Sequence, residues 1–225
     1  IRLYKRRGID LEGLQIADGK TFHWSGEYEV NMNNRRTLET ELGVFESFSP
    51  KLPESYRSSD FVLLANIAPS LQHHVLDQMH CPKFVVADTM DLWLNIALPD
   101  LLKLLKSVDG FVLNDSEAYQ LTQEDNILAA LKKIHKLGPK YVIIKKGEHG
   151  AMLSTPDGLF LSPAFPLERV VDPTGAGDSF VGAMMGYLST ARGPIEKNIR
   201  KAMIYGSVVA SYCCEGFGLK VTSRI

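Results

Sequence analysis

Four apolar runs separated by helical stretches constrain the fold of this chain more than any other feature. They occupy residues 61–65, 83–87, 110–113 and 141–144, where almost every residue is aliphatic or aromatic. Continuous runs of this kind are expected of strands buried on both faces. The stretches between and after them predict helices at 71–79, 98–106, 116–121, 126–137, 177–188 and 195–214, with a hairpin at 150–161. Strand–helix–strand alternation predicts an α/β fold with a mostly parallel sheet covered by helices.

The first 60 residues have a different pattern. Apolar and polar residues alternate in short pieces at 14–16, 20–25 and 28–30, separated by Asp18-Gly19 and Gly26. This period predicts half-exposed strands, with Asp-Gly as the hairpin turn. Residues 31–56 are polar and irregular. We therefore divide the chain into a β-rich segment, 1–60, and an α/β core, 61–225.

Charge and cysteine content exclude several functional classes. The chain has 25 Lys+Arg and 26 Asp+Glu, whereas a general nucleic-acid or membrane-surface binder needs a basic excess. No apolar run approaches the roughly 18 residues of a membrane helix. Three cysteines, Cys81, Cys213 and Cys214, are too few and too poorly spaced for a disulfide framework. These observations predict a cytoplasmic protein with no nucleic-acid and no membrane partner.

The segment 172–180, DPTGAGDSF, is the strongest motif in the chain. It follows a predicted strand at 169–171 and opens a helix. Glycines at 175 and 177 let the backbone turn tightly, and the N–H groups of a helix start form an anion site. Asp178, in the first helical turn, is placed to act as a general base toward a hydroxyl. The alternative is that Asp178 only stabilises the helix start.

Two further segments follow predicted strands. Asn114 and Glu117, three residues apart, face the same way on a helix start, and their oxygens are hard ligands suited to Mg²⁺. The alternative is a helix N-cap with acids in its first turn. The segment 145–150, KKGEHG, could approach a polyphosphate, although a plain hairpin turn with solvated lysines would have the same sequence.

Segment 172–180 closely resembles the carboxyl-terminal signature of the ribokinase-like (PfkB) carbohydrate kinases, which reads DTTGAGD with Phe two residues on. This chain departs from it at Pro173. Asn114 to Glu117 matches the family's Asn-x-x-Glu element, and Lys146-Gly147 with Gly150 matches its nucleotide-loop segment. All three occur in the family's order, so the resemblance covers essentially the whole chain.

The resemblance implies ATP-dependent phosphorylation of an alcohol. It implies Asp178 as the catalytic base, the Gly175-Ala176-Gly177 backbone as the anion hole, and Asn114 and Glu117 as the residues that position Mg²⁺. It further implies a nucleotide channel and an adenine-side helix, and some members hold a monovalent cation. The residues that match these three features are Lys146, Gly147 and Gly150 for the channel, Gly206 for the adenine side, and Asp172 for the cation.

The resemblance also implies a three-layer α/β/α core with a small β-rich lid in residues 1–60, through which some members form homodimers. The acceptor is expected to be a sugar, with a nucleoside as the alternative if Trp24 and Phe22 line an aromatic pocket. A non-catalytic nucleotide-binding regulator is the alternative from another class. The family's amino-terminal Gly-Gly element is not found, which predicts a fragment that lacks the amino-terminal part. Asn66, Asp88 and Asp91 could contact a polyol or serve as caps and turn residues.

Overall fold

The computed structural model describes residues 1–32 and 35–224, and these form two β-sheets. The smaller sheet pairs β1 (His23–Tyr28) with β2 (Arg35–Glu41) in antiparallel orientation. The larger sheet has six strands, which lie side by side in chain order. They are β3 (Phe61–Leu64), β4 (Phe84–Asp88), β5 (Gly110–Asn114), β6 (Tyr141–Lys145), β7 (Ala151–Thr155) and β8 (Gly158–Ser162).

The large sheet is mostly parallel, as the apolar runs predict. Strands β3 to β6 run parallel to one another, and β7 and β8 are antiparallel additions at one side. The carboxyl ends of the four parallel strands therefore meet along one edge, which is where open α/β sheets bind ligands.

Helices cover both faces of this sheet and give the three-layer arrangement. The short helices α1 (Arg2–Arg6) and α2 (Glu54–Arg57) precede it. One face is covered by the connections between parallel strands, and the other by the two helices that close the chain. The first group is α3 (Pro69–Leu76), α4 (Asp91–Ile96), α5 (Leu98–Leu104), α6 (Asp115–Thr122) and α7 (Ile127–Leu137); the second is α8 (Ala176–Thr190) and α9 (Ile195–Cys214).

Side-chain alternation along each strand assigns residues to these two faces. In β6, Val142 and Ile144 belong to the hydrophobic cluster beneath α3–α7, whereas Tyr141 and Ile143 pack with α8 and α9. Because the side-chain period of a strand is two, Lys145 lies on the α8 face as well. The same counting places Asp88 and Asn114, the last residues of β4 and β5, on that face.

Several predictions about the short strands and their connections are wrong. Residues 169–171 form no strand, because the Val171 N–H donates to the Cys214 carbonyl at the end of α9 instead of to a neighbouring strand. Asp18-Gly19 is not the hairpin turn, and 14–16 is not a strand. The carbonyl of Lys20 instead accepts the N–H of Val44 at 2.9 Å, and β1 pairs with a strand inside the segment expected to be irregular.

Among the described residues, none of the helices is both long enough and apolar enough to span a membrane.

Candidate active site

The start of α8 contains the predicted base and anion hole. Gly175 is its N-cap, in a left-handed conformation (φ 84°) that favours glycine. Ser179 makes the first i→i−4 bond, to the Gly175 carbonyl at 2.8 Å, so the N–H groups of Gly177 and Asp178 precede the helical ladder. The Ala176 N–H donates to the Pro173 carbonyl at 3.0 Å. The Asp178 side chain is exposed beside these donors.

The end of α9 is hydrogen-bonded to the loop that precedes α8. The thiol of Cys213 donates to the Thr174 carbonyl at 3.3 Å, and the Asp172 N–H donates to the Cys214 carbonyl at 3.2 Å. Burial raises the pKa of the Cys214 thiol to about 11, so this residue stays protonated at neutral pH. The Asp172 carboxylate accepts the N–H of Thr174 at 2.9 Å. Its role as a cation ligand stays a prediction.

A buried ion pair lies next to the α8 start. Nζ of Lys145 lies 3.3 and 3.2 Å from the two carboxylate oxygens of Asp88. The Asp88 side chain is 5% exposed and that of Lys145 is 19% exposed. Burial raises the pKa of the Asp88 carboxyl, whereas Lys145 and the Thr89 N–H oppose that rise. The polyol contact of Asp88 stays a prediction.

Asn114 and Glu117 form a complete capping box at the start of α6. Oδ1 of Asn114 accepts the Glu117 N–H at 2.8 Å, and Oε2 of Glu117 accepts the Asn114 N–H at 2.7 Å. The alternative weighed from the sequence, an N-cap, is therefore realised. The structure also places Asn114 opposite Lys145 in the sheet register, so the cap lies at the same edge as the ion pair.

The predicted nucleotide-loop residues form a tight turn between β6 and β7. The Lys146 N–H donates to the Gly150 carbonyl at 2.8 Å around a 3₁₀ turn at Gly147–His149. Both glycines have positive φ, 54° and 87°. Gly206 is buried in α9, where a Cβ atom would lie 2.8 Å from the Phe180 carbonyl of α8. The structure thus places Gly206 at a contact between two helices.

The other polar residues at the sheet edge have partners of their own. Asn66 accepts the indole N–H of Trp93 at 2.8 Å and donates to Met90 Sδ. Asp91 is the first residue of α4. Phe22, directly before β1, packs edge-on against Phe45, with ring centroids 5.7 Å apart. In the small sheet, the indole N–H of Trp24 donates to the hydroxyl of Thr37.

The sequence segment 145–150 includes Lys145, but the family resemblance assigns a nucleotide role only to its neighbour Lys146. The signal was available in the strand period, which puts Lys145 on the α8 face. Sequence reasoning missed Tyr28, at the end of β1, whose hydroxyl contacts that of Thr174. No local sequence signal joins residues that are so far apart in the chain.

Comparison with known proteins identifies the family. Residues 4–223 match the family described as pfkB family carbohydrate kinase. The chain belongs to this family. The family assignment confirms the enzyme class predicted from the signature segment, a kinase.

Individual proteins that resemble this chain support the assignment. The cytidine kinase of Thermococcus kodakarensis is 31% identical over 199 residues, which are 85% of this chain and 69% of that enzyme. The deoxyribokinase of Salmonella typhimurium is 34% identical over 191 residues, 79% of this chain and 60% of that enzyme. The nucleoside kinase of Methanocaldococcus jannaschii, an archaeal member of the ribokinase family, superposes with a TM-score of 0.75 at 19% identity, over 96% of this chain and 69% of that one. The ribokinase-like fold class is confirmed.

Proposed function

We propose that this protein transfers the γ-phosphoryl group of ATP to a hydroxyl group of a pentose, with Asp178 as the general base. The observation that carries the proposal is the position of Asp178. Its carboxylate is exposed in the first turn of α8, beside the N–H groups of Gly177 and Asp178 that precede the helical ladder. A base and an anion site a few ångströms apart are what phosphoryl transfer to an alcohol requires.

In the reaction, the acceptor oxygen forms a bond to the γ-phosphorus while the bond from that phosphorus to the oxygen of ADP breaks. Asp178 takes the hydroxyl proton as the new bond forms. The N–H groups at the α8 start donate to the equatorial oxygens of the phosphoryl group. This chain then does little covalent work; it positions the reactants and stabilises negative charge.

The edge of the sheet offers an oxygen donor set for Mg²⁺. The described residues include no cluster of three or more His, Cys, Asp or Glu side chains that could hold a metal by themselves. Mg²⁺ usually keeps several waters and is held by one or two carboxylates together with substrate phosphates. Glu117 and Asn114 would hold it in this way, through its waters. When bound, Mg²⁺ neutralises charge on the nucleotide phosphates.

The names of the relatives favour a pentose as the acceptor. Cytidine kinase and deoxyribokinase, the two curated relatives compared above, take their names from a ribonucleoside and from deoxyribose. We infer that a five-carbon sugar is the common element, and that the acceptor is either the free sugar or its nucleoside. A nucleoside acceptor would need an aromatic surface on which its nucleobase could stack. Phe22, directly before β1, already packs against Phe45, which supports the free sugar.

An acceptor screen coupled to ADP release tests the proposal, with ribose, deoxyribose, cytidine and other nucleosides as acceptors. The variant Asp178→Asn should lose turnover by at least about 100-fold, because general-base catalysis contributes at least that much, and it should still bind ATP. ATP binding without turnover for any acceptor would instead support a nucleotide-binding regulator. An Asp178→Asn variant with normal turnover would reject the assigned base.

A further inference from the structure

The ammonium group of Lys145, the first residue of the segment 145–150, lies beside the anion site. Lys145 ends strand β6, and its side chain lies on the face of the sheet that α8 covers. A Cβ atom built on Gly177 would lie only 3.0 Å from Nζ of Lys145. The ammonium group therefore packs against the first turn of α8, next to the residue before Asp178.

This contact distinguishes Gly177 from the other glycine of the motif, Gly175. Gly175 needs its left-handed φ of 84°, but Gly177 is not among the glycines with positive φ. A Cβ atom at 177 would instead press on the ammonium group of Lys145, which would have to move. The two glycines of the motif thus have different roles. Gly175 turns the backbone, and Gly177 leaves room for the ammonium group of Lys145 beside the helix start.

The partner of Lys145 points to a role beyond stability. Removing both charges of an ion pair from water costs about as much as their attraction returns, so a buried pair is a poor way to stabilise a fold. The Asp88 side chain is only 5% exposed, and its carboxylate accepts the N–H of Thr89 at 2.9 Å. A carboxylate fixed in this way fixes the ammonium group as well.

We propose that Lys145 binds the transferring phosphoryl group and that Asp88 is the positioning residue that holds the ammonium group for it. This inference rests on the proposed function. As the bond between the γ-phosphorus and the ADP oxygen lengthens, negative charge is spread over the phosphoryl oxygens, and a fixed cation stabilises that charge. The hydroxyl proton goes to Asp178.

Two variants separate this role from a structural one. Lys145→Met leaves Asp88 buried without its partner, so it should be destabilised as well as inactive. The double variant Asp88→Asn/Lys145→Met removes both charges, and its thermal midpoint should return toward that of the wild type. We expect kcat of the double variant to stay at least about 100-fold below wild type, the loss typical of removing one transition-state donor. Recovery of wild-type kcat in the double variant would overturn the proposal.

Binding of ADP with aluminium fluoride, which mimics the phosphoryl group in transfer, gives a readout independent of turnover. In the double variant the affinity for ADP with aluminium fluoride and acceptor should fall at least tenfold more than the affinity for ADP alone. An equal loss for both ligands would overturn the proposal. The matched control is Lys83→Met, which removes a lysine paired with Asp60 at the opposite end of the strands. It should change neither the affinity for ADP with aluminium fluoride nor the affinity for ADP alone.

The same experiments separate a failure of the proposed function from a failure of the role assigned to Lys145. If the wild-type protein phosphorylates no acceptor, the proposed function fails. If the wild type is active and the double variant is equally active, only the role of Lys145 fails.

Discussion

The hydroxyl oxygen of Tyr28 lies 3.1 Å from that of Thr174, which connects the end of strand β1 to the loop that precedes α8. The small sheet thus contacts the segment that carries Asp178. We propose that this contact holds the small sheet, the lid predicted from the sequence, over the acceptor.

Tyr28→Phe should raise the KM for the acceptor about two- to tenfold, because one hydrogen bond contributes about 0.5–1.5 kcal/mol. The thermal midpoint should not change, since both hydroxyl groups are exposed. Steady-state kinetics measures the first quantity and thermal unfolding the second. Tyr4→Phe, in α1, is the control and should change neither. An unchanged KM in Tyr28→Phe would mean that this contact does not hold the lid over the acceptor.

The large sheet and its helices could be predicted because their patterns are local. Strand β5 is a run of buried residues that ends at Asn114. The capping box that starts α6 can be recognised from the four consecutive residues 114–117. The helix predicted at 195–214 has the bounds of α9.

The small sheet could not be predicted in the same way. All the described residues of β2 after Arg35 are exposed, so no buried face fixes its register with β1. The same limit applies to the site. The sequence identifies Asp178 and Gly175 through a motif, but the contact between Lys145 and Gly177 depends on how a strand and a helix pack.

Gly206→Ala should destabilise the protein by about 1–3 kcal/mol, the usual cost of overpacking. The added Cβ would meet the Phe180 carbonyl at 2.8 Å, and backbone cannot move aside as a side chain can. Urea unfolding measures the effect. The control is Gly186→Ala in α8, where a Cβ meets nothing within 4 Å and alanine should stabilise by about 0.4–1 kcal/mol. A Gly206→Ala variant of normal stability that binds ATP weakly would instead support the adenine-side role predicted from the sequence.

Gln72→Met should destabilise the protein by about 1–3 kcal/mol, because it leaves buried carbonyl groups without a donor. Nε2 of Gln72 lies 2.9 Å from the Leu64 carbonyl oxygen and 3.0 Å from those of Ala65 and Asp88, so one side chain links the ends of β3 and β4. Urea unfolding is again the measurement. Gln120→Met, which removes an exposed bond to Asn95, should cost much less. Equal losses of unfolding free energy in the two variants would show that the buried amide of Gln72 contributes no more than an exposed one.

The contact between Tyr141 and Glu196 should make stability depend on pH at both extremes. The Tyr141 hydroxyl donates to Oε1 of Glu196 at 2.7 Å, and Nζ of Lys140 lies 2.9 Å from the same oxygen. Bonds from Lys140 and then Tyr141 lower the pKa of Glu196 from 4.5 to about 2. Burial, and then the bond to Glu196, raises the pKa of Tyr141 from 10.0 to about 12.

The two shifts act in opposite pH windows. The folded state favours ionised Glu196, so this stabilisation is present above pH 4.5 and is lost as the pH falls toward about 2. The folded state favours neutral Tyr141, so this stabilisation is present below pH 10.0 and is lost as the pH rises toward about 12. The free energy of unfolding of the wild type should therefore fall more steeply than that of Glu196→Gln in the acid window and that of Tyr141→Phe in the alkaline window.

Urea unfolding of the three proteins across both windows measures these slopes. The acid difference should shrink in high salt, because Glu196 and Lys140 are largely exposed and their attraction is screened. The alkaline difference should persist, since its main cause is the burial of the Tyr141 ring and hydroxyl and not a long-range charge. Wild-type and variant curves that run parallel through both windows would contradict the coupling between these two residues.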